Sequence, residues 1–591
     1  MNLRRHHLPA ADFEELAAGR GNEETVARLR AAQLSRRMLS IRAVRDDLRA
    51  DDAGNADLFA ALEVITAAYR VNGPRAGDVL LAPAVGLWAT EMLRRLNSST
   101  DRTRPDSEEM RGYLGRVAIA CALATGLDCE VRVFVADGIL TIPGSGQIDL
   151  DGWAGWATVT VDAGKHILTV RAAGVVTVSP RRPDARFQPV PRLTTDSGAT
   201  GEELSVVLDG TDPMWPVLDL PIGPGVDDDQ ADPWRERMSA GWRLLRELDP
   251  ERARAIRAGL STLVPLRPTA TTTDFASTDL TASSADAFGA AALTLPRDGV
   301  SFAETLVHEF QHGKLSALLD LEPLLRPTTD RGRDELFYSP WRQDPRPLSG
   351  VLQGAFAYLG VTDFWNRQRH RDGGMYPHFE FARWRREVFD ALARIRAKAT
   401  PTPLGAYFLD RASAQAQLFL DESVPAAAEA AAAEAAAECW LGWRLRNLES
   451  DQNVVQRLAA AWSAGERPPE WSAATTAVRP ARRAFLDSGR LRLCAARLKS
   501  SGAAGDGTEA DRLYAEGCLP EAAELYKHAI AADHDDADAW TGLVMCRRGR
   551  PSPAASTLVD RPEMVRALHA KIATSGPPAD PDQLSAWLGQ G

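Results

Sequence analysis

The chain has 591 residues, 45% hydrophobic and 25% charged, which is the composition of a globular protein with room for roughly three or four domains. Its 69 basic and 80 acidic residues leave a formal net charge of −11, so no basic field points to nucleic acid as the main partner. The six cysteines form no C-x-x-C pair, which argues against an iron–sulfur cluster and favours reduced thiols in the cytoplasm.

Residues 1–127 are predicted to form a helical region, whose last helix runs from Met110 to Thr125 and ends at Gly126. The N-terminus lacks the apolar core of a signal peptide, and the longest apolar run, 351–361, is too short to cross a bilayer. We therefore expect a cytoplasmic protein with no membrane partner.

Residues 128–230 form a β-rich region by sequence pattern. The stretches Val131–Val135, Trp156–Val161 and His166–Val170 are rich in β-branched residues, and Gly and Asp turns separate them. This pattern predicts an antiparallel sheet or small sandwich at about 130–210.

Residues 231–400 are predicted to be a metal-binding core around the pattern H-E-x-x-H, made by His308, Glu309 and His312. Residues four apart lie on one face of an α-helix, so both imidazoles can reach one metal ion. Apolar residues recur at helical spacing without an internal proline, which predicts a helix over 301–321. A glutamate and two histidines inside an apolar run need a reason, which makes two unrelated surface histidines the weaker interpretation.

Two histidines do not complete a metal site. A zinc peptidase adds a third ligand and an open position, with the Glu of the pattern as general base. A non-haem iron oxygenase usually adds a carboxylate. A second apolar helix, predicted over 351–367, carries Gln353 and Asp363. Glu304 lies one turn before His308. The spacing alone chooses neither the third ligand nor the metal.

A loop at 326–347 separates the two helices, and a loop of that length is uncommon unless it is functional. Arg342 and Arg346 lie in this loop. Because guanidinium groups bind carboxylates with paired donors, both are candidates to clamp a 2-oxo acid beside iron. The alternative is that they pair with Asp344 or lie in solvent.

The C-terminal part of the chain is predicted to be helical throughout. Residues 401–500 include the alanine run 426–437, which is a strong helix former and needs no further function. Residues 505–591 contain a segment from Ala510 to Arg548 that resembles one tetratricopeptide repeat (TPR). One such unit cannot bury its own face, so we expect it to pack on its neighbours and favour a structural role over peptide binding.

Four blocks of sequence in the central region belong together by their order and spacing. They are Leu306-Val-His-Glu-Phe-Gln-His-Gly-Lys-Leu315, Tyr338-Ser-Pro-Trp-Arg342, Asp344-Pro-Arg-Pro347 and Gly350-Val-Leu-Gln-Gly354. Together they resemble the HExxH-type peptide-modification family, strongly over 255–400 and loosely in the flanks. Members of that family accompany ribosomally made peptide clusters and occur fused to, or beside, radical-SAM enzymes of the FxsB kind.

The resemblance implies an iron(II)- and 2-oxoglutarate-dependent peptide β-hydroxylase. It implies His308 and His312 as iron ligands and Glu309 as a site residue of unsettled role. It also implies a ribosomally synthesised precursor peptide as substrate and a radical-SAM maturase as a candidate partner. Family members often carry His in place of Gln353, so here either Gln353 or another group is the third ligand, or the activity is changed.

These observations predict an α+β fold that is mainly helical, with an antiparallel β region, a zincin-like HExxH helix core and a TPR-like C-terminus. The favoured function is oxidative hydroxylation of a peptide. The first alternative is a zinc-dependent peptidase with Glu309 as the base. The second is a non-catalytic peptide-binding partner, which the lack of a third histidine at Gln353 would favour.

Overall fold

The computed structural model of the chain describes eleven stretches of residues. They are 6–48, 55–97, 108–182, 184–196, 202–268, 280–326, 335–471, 477–478, 488–499, 507–549 and 553–590. The chain forms two compact units. The N-terminal unit comprises residues 1–269 and 279–324, and the C-terminal unit comprises 270–278 and 325–591. The division falls inside the predicted core at 231–400, so the H-E-x-x-H pattern and the predicted second helix belong to different units.

Helices fill the first part of the N-terminal unit. They are α1 Ala10–Ala17, α2 Glu23–Asp47, α3 Ala56–Val71, α4 Gly73–Leu80, α5 Pro83–Asn97 and α6 Glu108–Thr125. The start of α2 follows from its cap, since the Asn22 side chain accepts the backbone N–H of Thr25. The end of α6 is set by Gly126, whose φ of +77° is open to glycine without strain.

Nine strands lie in the described residues between 126 and 231. They are β1 Cys129–Val135, β2 Ile139–Ile142, β3 Gly146–Asp149, β4 Gly155–Asp162, β5 Ile167–Arg171, β6 Val175–Val178, β7 Phe187–Pro189, β8 Arg192–Thr194 and β9 Ser205–Leu208. Two antiparallel sheets result, with strand orders β1-β4-β5-β6 and β2-β3-β7. The first sheet packs closely on α6, because Gly112 and Gly115 of that helix lie against the backbone of Phe134 and Arg132.

A third sheet of the N-terminal unit is mixed and has the order β11-β12-β10-β9-β8. Its further strands are β10 Thr262–Pro265, β11 Thr281–Ala282 and β12 Ala290–Leu293. Strand β10 is parallel to both β9 and β12, while β8 and β11 run antiparallel at the two edges. The predicted antiparallel region at 130–210 therefore needs correction at its end, because β9 pairs in parallel with a strand outside that region.

Three helices accompany the mixed sheet. They are α7 Asp232–Leu248, α8 Pro250–Gly259 and α9 Gly299–Leu319. The H-E-x-x-H pattern lies on α9, close to the predicted bounds of 301–321. This helix and α7 approach closely, since a Cβ on Gly241 or on Gly299 would crowd the facing helix.

The C-terminal unit is almost entirely helical. Its helices are α10 Leu348–Asp372, α11 Met375–Lys398, α12 Pro403–Asp421, α13 Ala426–Asn447, α14 Gln452–Ser463, α15 Gly489–Leu498, α16 Glu509–Ala515, α17 Leu519–Ala532, α18 Ala537–Arg547, α19 Pro553–Asp560, α20 Pro562–Ala573 and α21 Pro581–Leu588. Two short ladders pair β13 Leu336–Phe337 with β14 Arg346–Pro347 and β15 Leu448–Glu449 with β16 Ala477–Val478.

The TPR-like segment forms three helices, α16 to α18, and does not stand alone. Its buried residues Tyr514 and Trp540 share one hydrophobic core with Leu441 of α13 and Leu458 of α14. The segment therefore packs on its neighbours, as its length requires, while its assignment as a TPR stays a prediction.

The described fold is mainly helical with small sheets, in agreement with an α+β class. Among the described residues, no single helix combines the length and hydropathy needed to cross a membrane; only α4 and α5 taken together, bent by 64°, do so.

Candidate metal centre

Helix α9 is anchored at its start and along one face. The Asp298 side chain accepts the backbone N–H of Ser301 at 2.8 Å and thereby caps the helix. Further along, the Gln311 amide donates to the carbonyl of Gly19 at 2.9 Å, and the buried Lys314 ammonium donates to the carbonyl of Arg20 at 2.7 Å. Both long polar side chains thus tie α9 to the turn that follows α1, which fixes the rotation of the helix.

The two histidines converge on one point, as their spacing predicts. The Nε2 atoms of His308 and His312 lie 3.1 Å apart, and the ring planes meet at 78°. With metal–nitrogen bonds of about 2.05 Å, that separation corresponds to an angle of about 98° at the metal, between the ideal octahedral and tetrahedral values. The pair therefore fits two adjacent positions of either geometry.

The protonation state of His308 also suits a ligand. Burial, followed by the neighbouring charge of His312, holds the pKa of His308 well below its usual value of 6.5. A neutral imidazole has a lone pair for a metal, whereas an imidazolium does not. The buried environment therefore prepares His308 for binding near neutral pH.

Glu309 lies beside the histidine pair and is itself buried, with 3% of its surface exposed. One of its oxygens, Oε1, is 3.8 Å from Nε2 of His308. Burial raises the pKa of Glu309 to about 7, although hydrogen bonding by the hydroxyls of Thr281 and Ser283 opposes this rise. The other oxygen, Oε2, has no hydrogen-bond partner among the described residues. A carboxyl in this setting is suited to exchange a proton near neutral pH.

The third ligand is not supplied by the residue types that most often bind metals. Among the described residues, no group of three or more His, Cys, Asp or Glu side chains is placed to hold a metal ion. Glu304, although on α9, therefore does not join the histidine pair in such a group. Gln353 lies on α10 of the C-terminal unit, and Asp363 of the same helix accepts a hydrogen bond from Arg367 at 3.1 Å. Gln353 thus stays a predicted ligand.

The two candidate clamp arginines come together in the C-terminal unit. The β13–β14 ladder closes a loop, and within it the buried Asp344 accepts from Arg342 Nε at 2.8 Å and from Arg346 Nη1 at 3.3 Å. The pairing with Asp344 that the sequence left open is therefore present. The two guanidinium groups share this one carboxylate, and both stay candidates to bind a carboxylate of a ligand.

The loop that carries Arg342 and Arg346 packs on α10 at Gly354. The sequence alone did not indicate this role for Gly354. The indole of Trp341 lies against Gly354 and stacks on Tyr358, with ring centroids 5.0 Å apart. Asn447 of α13 holds the other side of the loop by donating to the carbonyl of Gln343 at 2.7 Å. This packing explains why the block around Trp341 and the block ending in Gly354 occur together.

Sequence reasoning missed Thr281 and Ser283 as neighbours of Glu309. The available signal was the pair of hydroxyl residues Thr281, in strand β11, and Ser283, which directly follows that strand. Nothing in that local pattern indicates which helix the two residues meet.

Comparison with known proteins adds no family to this picture. No protein-family model matches the chain, and no curated protein matches it significantly. The resemblance to the HExxH-type peptide-modification family therefore rests on the residues of the four blocks.

Proposed function

We propose that the chain is an iron(II)- and 2-oxoglutarate-dependent hydroxylase that acts on side-chain β-carbons of a ribosomally synthesised precursor peptide. The observation that carries the proposal is the convergence of His308 and His312 Nε2 atoms at 3.1 Å on an anchored helix. The resemblance of the four blocks selects iron and a 2-oxo acid over zinc. A radical-SAM maturase is the proposed partner in the same pathway.

The overall reaction balances without a further reductant. Peptide C–H, oxygen and 2-oxoglutarate give peptide C–OH, succinate and carbon dioxide, with one oxygen atom entering each of the hydroxyl and the succinate. Iron(II), when bound, supplies the activation of oxygen that this exchange needs.

The protein's own residues hold and orient the reactants. His308, which burial keeps neutral, and His312 bind the metal through their ring nitrogens. Arg342 and Arg346, which share Asp344, are the proposed clamp for a carboxylate of the 2-oxo acid. Gln353 is the proposed third ligand or the holder of a bound water. Glu309 lies buried beside the histidine pair.

The test is anaerobic and needs no peptide. Metal-free protein is loaded with iron(II), 2-oxoglutarate is added, and the visible absorption spectrum is recorded for the wild type and for His308→Ala. A new charge-transfer band that is absent in the variant supports a 2-oxo acid chelated to iron. Absence of the band in the wild type, with iron bound, overturns the oxygenase proposal.

A matched pair of arginine variants sharpens the result. Arg346→Gln should weaken 2-oxoglutarate binding while leaving iron binding close to that of the wild type. Arg367→Gln is the control, because Arg367 lies on α10 and pairs with Asp363 at its surface. Equal effects of the two substitutions would remove Arg346 from the proposed clamp.

Glu309 favours one second candidate, a zinc-dependent peptidase. A buried carboxyl that has a pKa of about 7, and one oxygen without a hydrogen-bond partner in the described part of the chain, is suited to act as a general base. This candidate predicts cleavage of unrelated peptides with zinc and without a 2-oxo acid, and loss of cleavage in Glu309→Gln. Peptide binding that survives His308→Ala, with no metal bound, would instead favour the non-catalytic partner.

A further inference from the structure

A cleft of about 330 Å³ lies in the N-terminal unit. Three segments line it, which are Gln147 and Gln188 of the sheet β2-β3-β7, the run 189–191 that leads from β7 to β8, and Thr211 with 225–226 after β9. The volume is at the lower end of the roughly 300–1,000 Å³ of ligand sites. The described residues that line the cleft include none of the metal centre.

The run Pro189-Val190-Pro191 is fixed on both sides. The N–H of Val190 donates to the carbonyl of Ser145 at 3.2 Å, and the carbonyl of Pro191 accepts the N–H of Leu208 at 2.9 Å. Because Pro189 and Pro191 have no N–H, a ligand cannot pair here as a full further strand. Recognition of a ligand therefore falls mainly to the side chains.

Gln147 and Gln188 lie opposite each other in the antiparallel pair of β3 and β7. Two residues away on each strand, the N–H of Asp149 donates to the carbonyl of Arg186, so the glutamines form a hydrogen-bonded pair with Cα atoms about 5.5 Å apart. The Gln147 amide is also held in place, because it donates to the hydroxyl of Thr141 at 3.3 Å. Two amide side chains therefore line the cleft side by side.

Thr211 lines the cleft with a fixed hydroxyl. Its O–H donates to Oδ1 of the buried Asp209 at 2.9 Å, and its N–H donates to the same oxygen at 2.8 Å. The hydroxyl oxygen can therefore only accept a hydrogen bond from a ligand. Gly225 packs closely on this residue, since a Cβ on Gly225 would lie 2.5 Å from Cγ2 of Thr211.

The charge of the lining favours a neutral ligand. The described lining residues are uncharged, although Arg192 and Asp227 directly follow lining residues in the sequence. A charged ligand would lose water in this cleft without gaining a counter-charge.

The hydrogen-bonding groups of the lining favour peptide groups. A glutamine amide both donates and accepts, and so matches the C=O and N–H of a peptide. Peptide groups on one side of an extended chain recur every two residues, or about 6.8 Å, which flexible side chains on Gln147 and Gln188 can follow.

We propose that this cleft binds a short extended peptide segment with uncharged side chains, held by Gln147, Gln188 and Thr211 and packed on Pro189 and Pro191. That the segment belongs to the precursor peptide rests on the proposed function, whereas the binding of a peptide does not. The cleft would then hold part of the substrate outside the metal centre.

Saturation-transfer difference NMR on the full chain tests this proposal, because it detects weak ligands and needs neither metal nor turnover. The probes are an acetylated and amidated pentapeptide of alanine, serine and valine, two versions with a central aspartate or lysine, and maltotriose as a neutral carbohydrate. The wild type is compared with Gln188→Leu, Gln147→Leu and Thr211→Val.

Gln417→Leu is the matched control, because Gln417 is an exposed glutamine of α12 whose amide donates to Asp421 at 2.8 Å. Circular dichroism checks that each variant is folded. Gln188→Leu changes an exposed position and keeps the test open if Thr211→Val does not fold.

The neutral peptide should bind the wild type, and each of the three cleft substitutions should weaken its binding roughly 2- to 12-fold, the factor that corresponds to one neutral hydrogen bond. The charged peptides should show no saturation transfer, and Gln417→Leu should bind as the wild type does. Iron(II) binding by Gln188→Leu should equal that of the wild type, because Gln188 lies outside the metal centre.

Two failures are distinguishable. A wild type that does not bind the neutral peptide, that binds maltotriose instead, or that binds the peptide equally with and without Gln147 and Gln188 overturns the peptide cleft alone. A wild type that binds the peptide in the cleft but no iron(II) overturns the proposed function and leaves the cleft as a peptide site.

Discussion

The indole of Trp341 occupies the space where any side chain on Gly354 would lie. The same ring stacks on Tyr358, one helical turn further along α10, at an interplanar angle of 15°. Trp341 therefore lies on a flat patch of the helix that only a glycine provides. Because Arg342 follows Trp341 directly, this contact also sets where the arginine loop meets the helix that carries Gln353.

Gly354→Ala should destabilise the C-terminal unit. The added methyl group would overlap the Trp341 ring, and overpacking of this kind costs about 1–3 kcal/mol. In a Trp341→Ala background the sign should reverse, because a helical Gly→Ala change without a clash gains up to about 1 kcal/mol. Urea denaturation of the four proteins of this double-mutant cycle measures the coupling. Equal effects in both backgrounds would contradict the packing described.

Gly313→Ala is the matched control for that experiment. Gly313 also lies within a helix, α9. Among the described residues, apart from the two chain neighbours and the nearby backbone of α9 itself, no atom lies within 4 Å of the position that its Cβ would occupy. Alanine should therefore stabilise the N-terminal unit by about 0.5–1 kcal/mol through its helix propensity. A loss of stability here would mean that the space beside His312 is occupied.

Metal binding should depend on both histidines of α9. His308→Ala and His312→Ala should each weaken zinc(II) or cobalt(II) binding by more than the roughly 10–100-fold typical of outer-shell changes, because each removes a ligand. His370→Ala is the control, since that side chain is 65% exposed on α10. Isothermal titration calorimetry on folded variants gives the constants. A single variant that binds as tightly as the wild type would show that the pair does not chelate.

Local sequence signals were enough to predict the helix of the H-E-x-x-H pattern but not every break between helices. The apolar spacing of Trp242, Leu245 and Leu248 predicts one helix over 234–259, whereas the structure has two helices, α7 and α8, separated at Asp249. Pro250 disfavours a helical conformation for the residue before it, and the Asp249 side chain accepts the backbone N–H of Arg252 at 3.1 Å as a new cap. The dipeptide Asp249-Pro250 therefore indicates a break, but the helical periodicity on both sides of it favours one continuous helix.

Other features depend on contacts between distant segments and had no local signal. The strand β9 pairs with β10, whose first residue Thr262 is 54 positions beyond Leu208 (262 minus 208), and parallel pairing leaves no turn to recognise. The proposed third metal ligand has no local signal for the same reason, since helical spacing brings His308 to His312 but says nothing of a side chain from another element. For the same reason, the sequence could not decide whether Arg342 and Arg346 are free to clamp a 2-oxo acid or pair with Asp344.

The burial of Glu387 predicts that the free energy of unfolding depends on pH. Burial raises its pKa from 4.5 to about 7, against the nearby charges of Arg383 and Arg394. Between these values the folded protein retains a proton that the unfolded chain has lost, so stability falls as pH rises through about 7. The total is about 3 kcal/mol for a shift of this size.

Glu387→Gln removes that dependence because the amide cannot ionise. The variant should equal the wild type near pH 4.5 and exceed it by up to about 3 kcal/mol at pH 8. Urea denaturation at a series of pH values measures the difference. A variant that is less stable than the wild type at pH 8 would mean that the ionised carboxylate is stabilised in the fold.

Arg490 links four helices of the C-terminal unit through buried charges. Its Nη1 donates to Asp511 of α16 at 2.9 Å and to the Tyr526 hydroxyl of α17 at 3.2 Å. Its Nη2 is 3.1 Å from a carboxylate oxygen of Glu438 on α13, and Arg490 itself is 1% exposed. One guanidinium thus compensates two buried carboxyl groups between the TPR-like helices and the alanine-rich helix.

Arg490→Met should therefore cost about 3–5 kcal/mol, because it keeps the carboxyl groups buried and removes their counter-charge. Adding Glu438→Gln and Asp511→Asn should recover part of the loss, since the amides need no counter-charge. Without Arg490 the carboxyl groups favour their protonated forms, so the single variant should lose less stability at pH 5 than at pH 8. Chemical denaturation followed by circular dichroism tests all three points. Arg490 would act through packing alone if Arg490→Met lost the same free energy of unfolding at pH 5 and at pH 8, and if adding Glu438→Gln and Asp511→Asn recovered none of that loss.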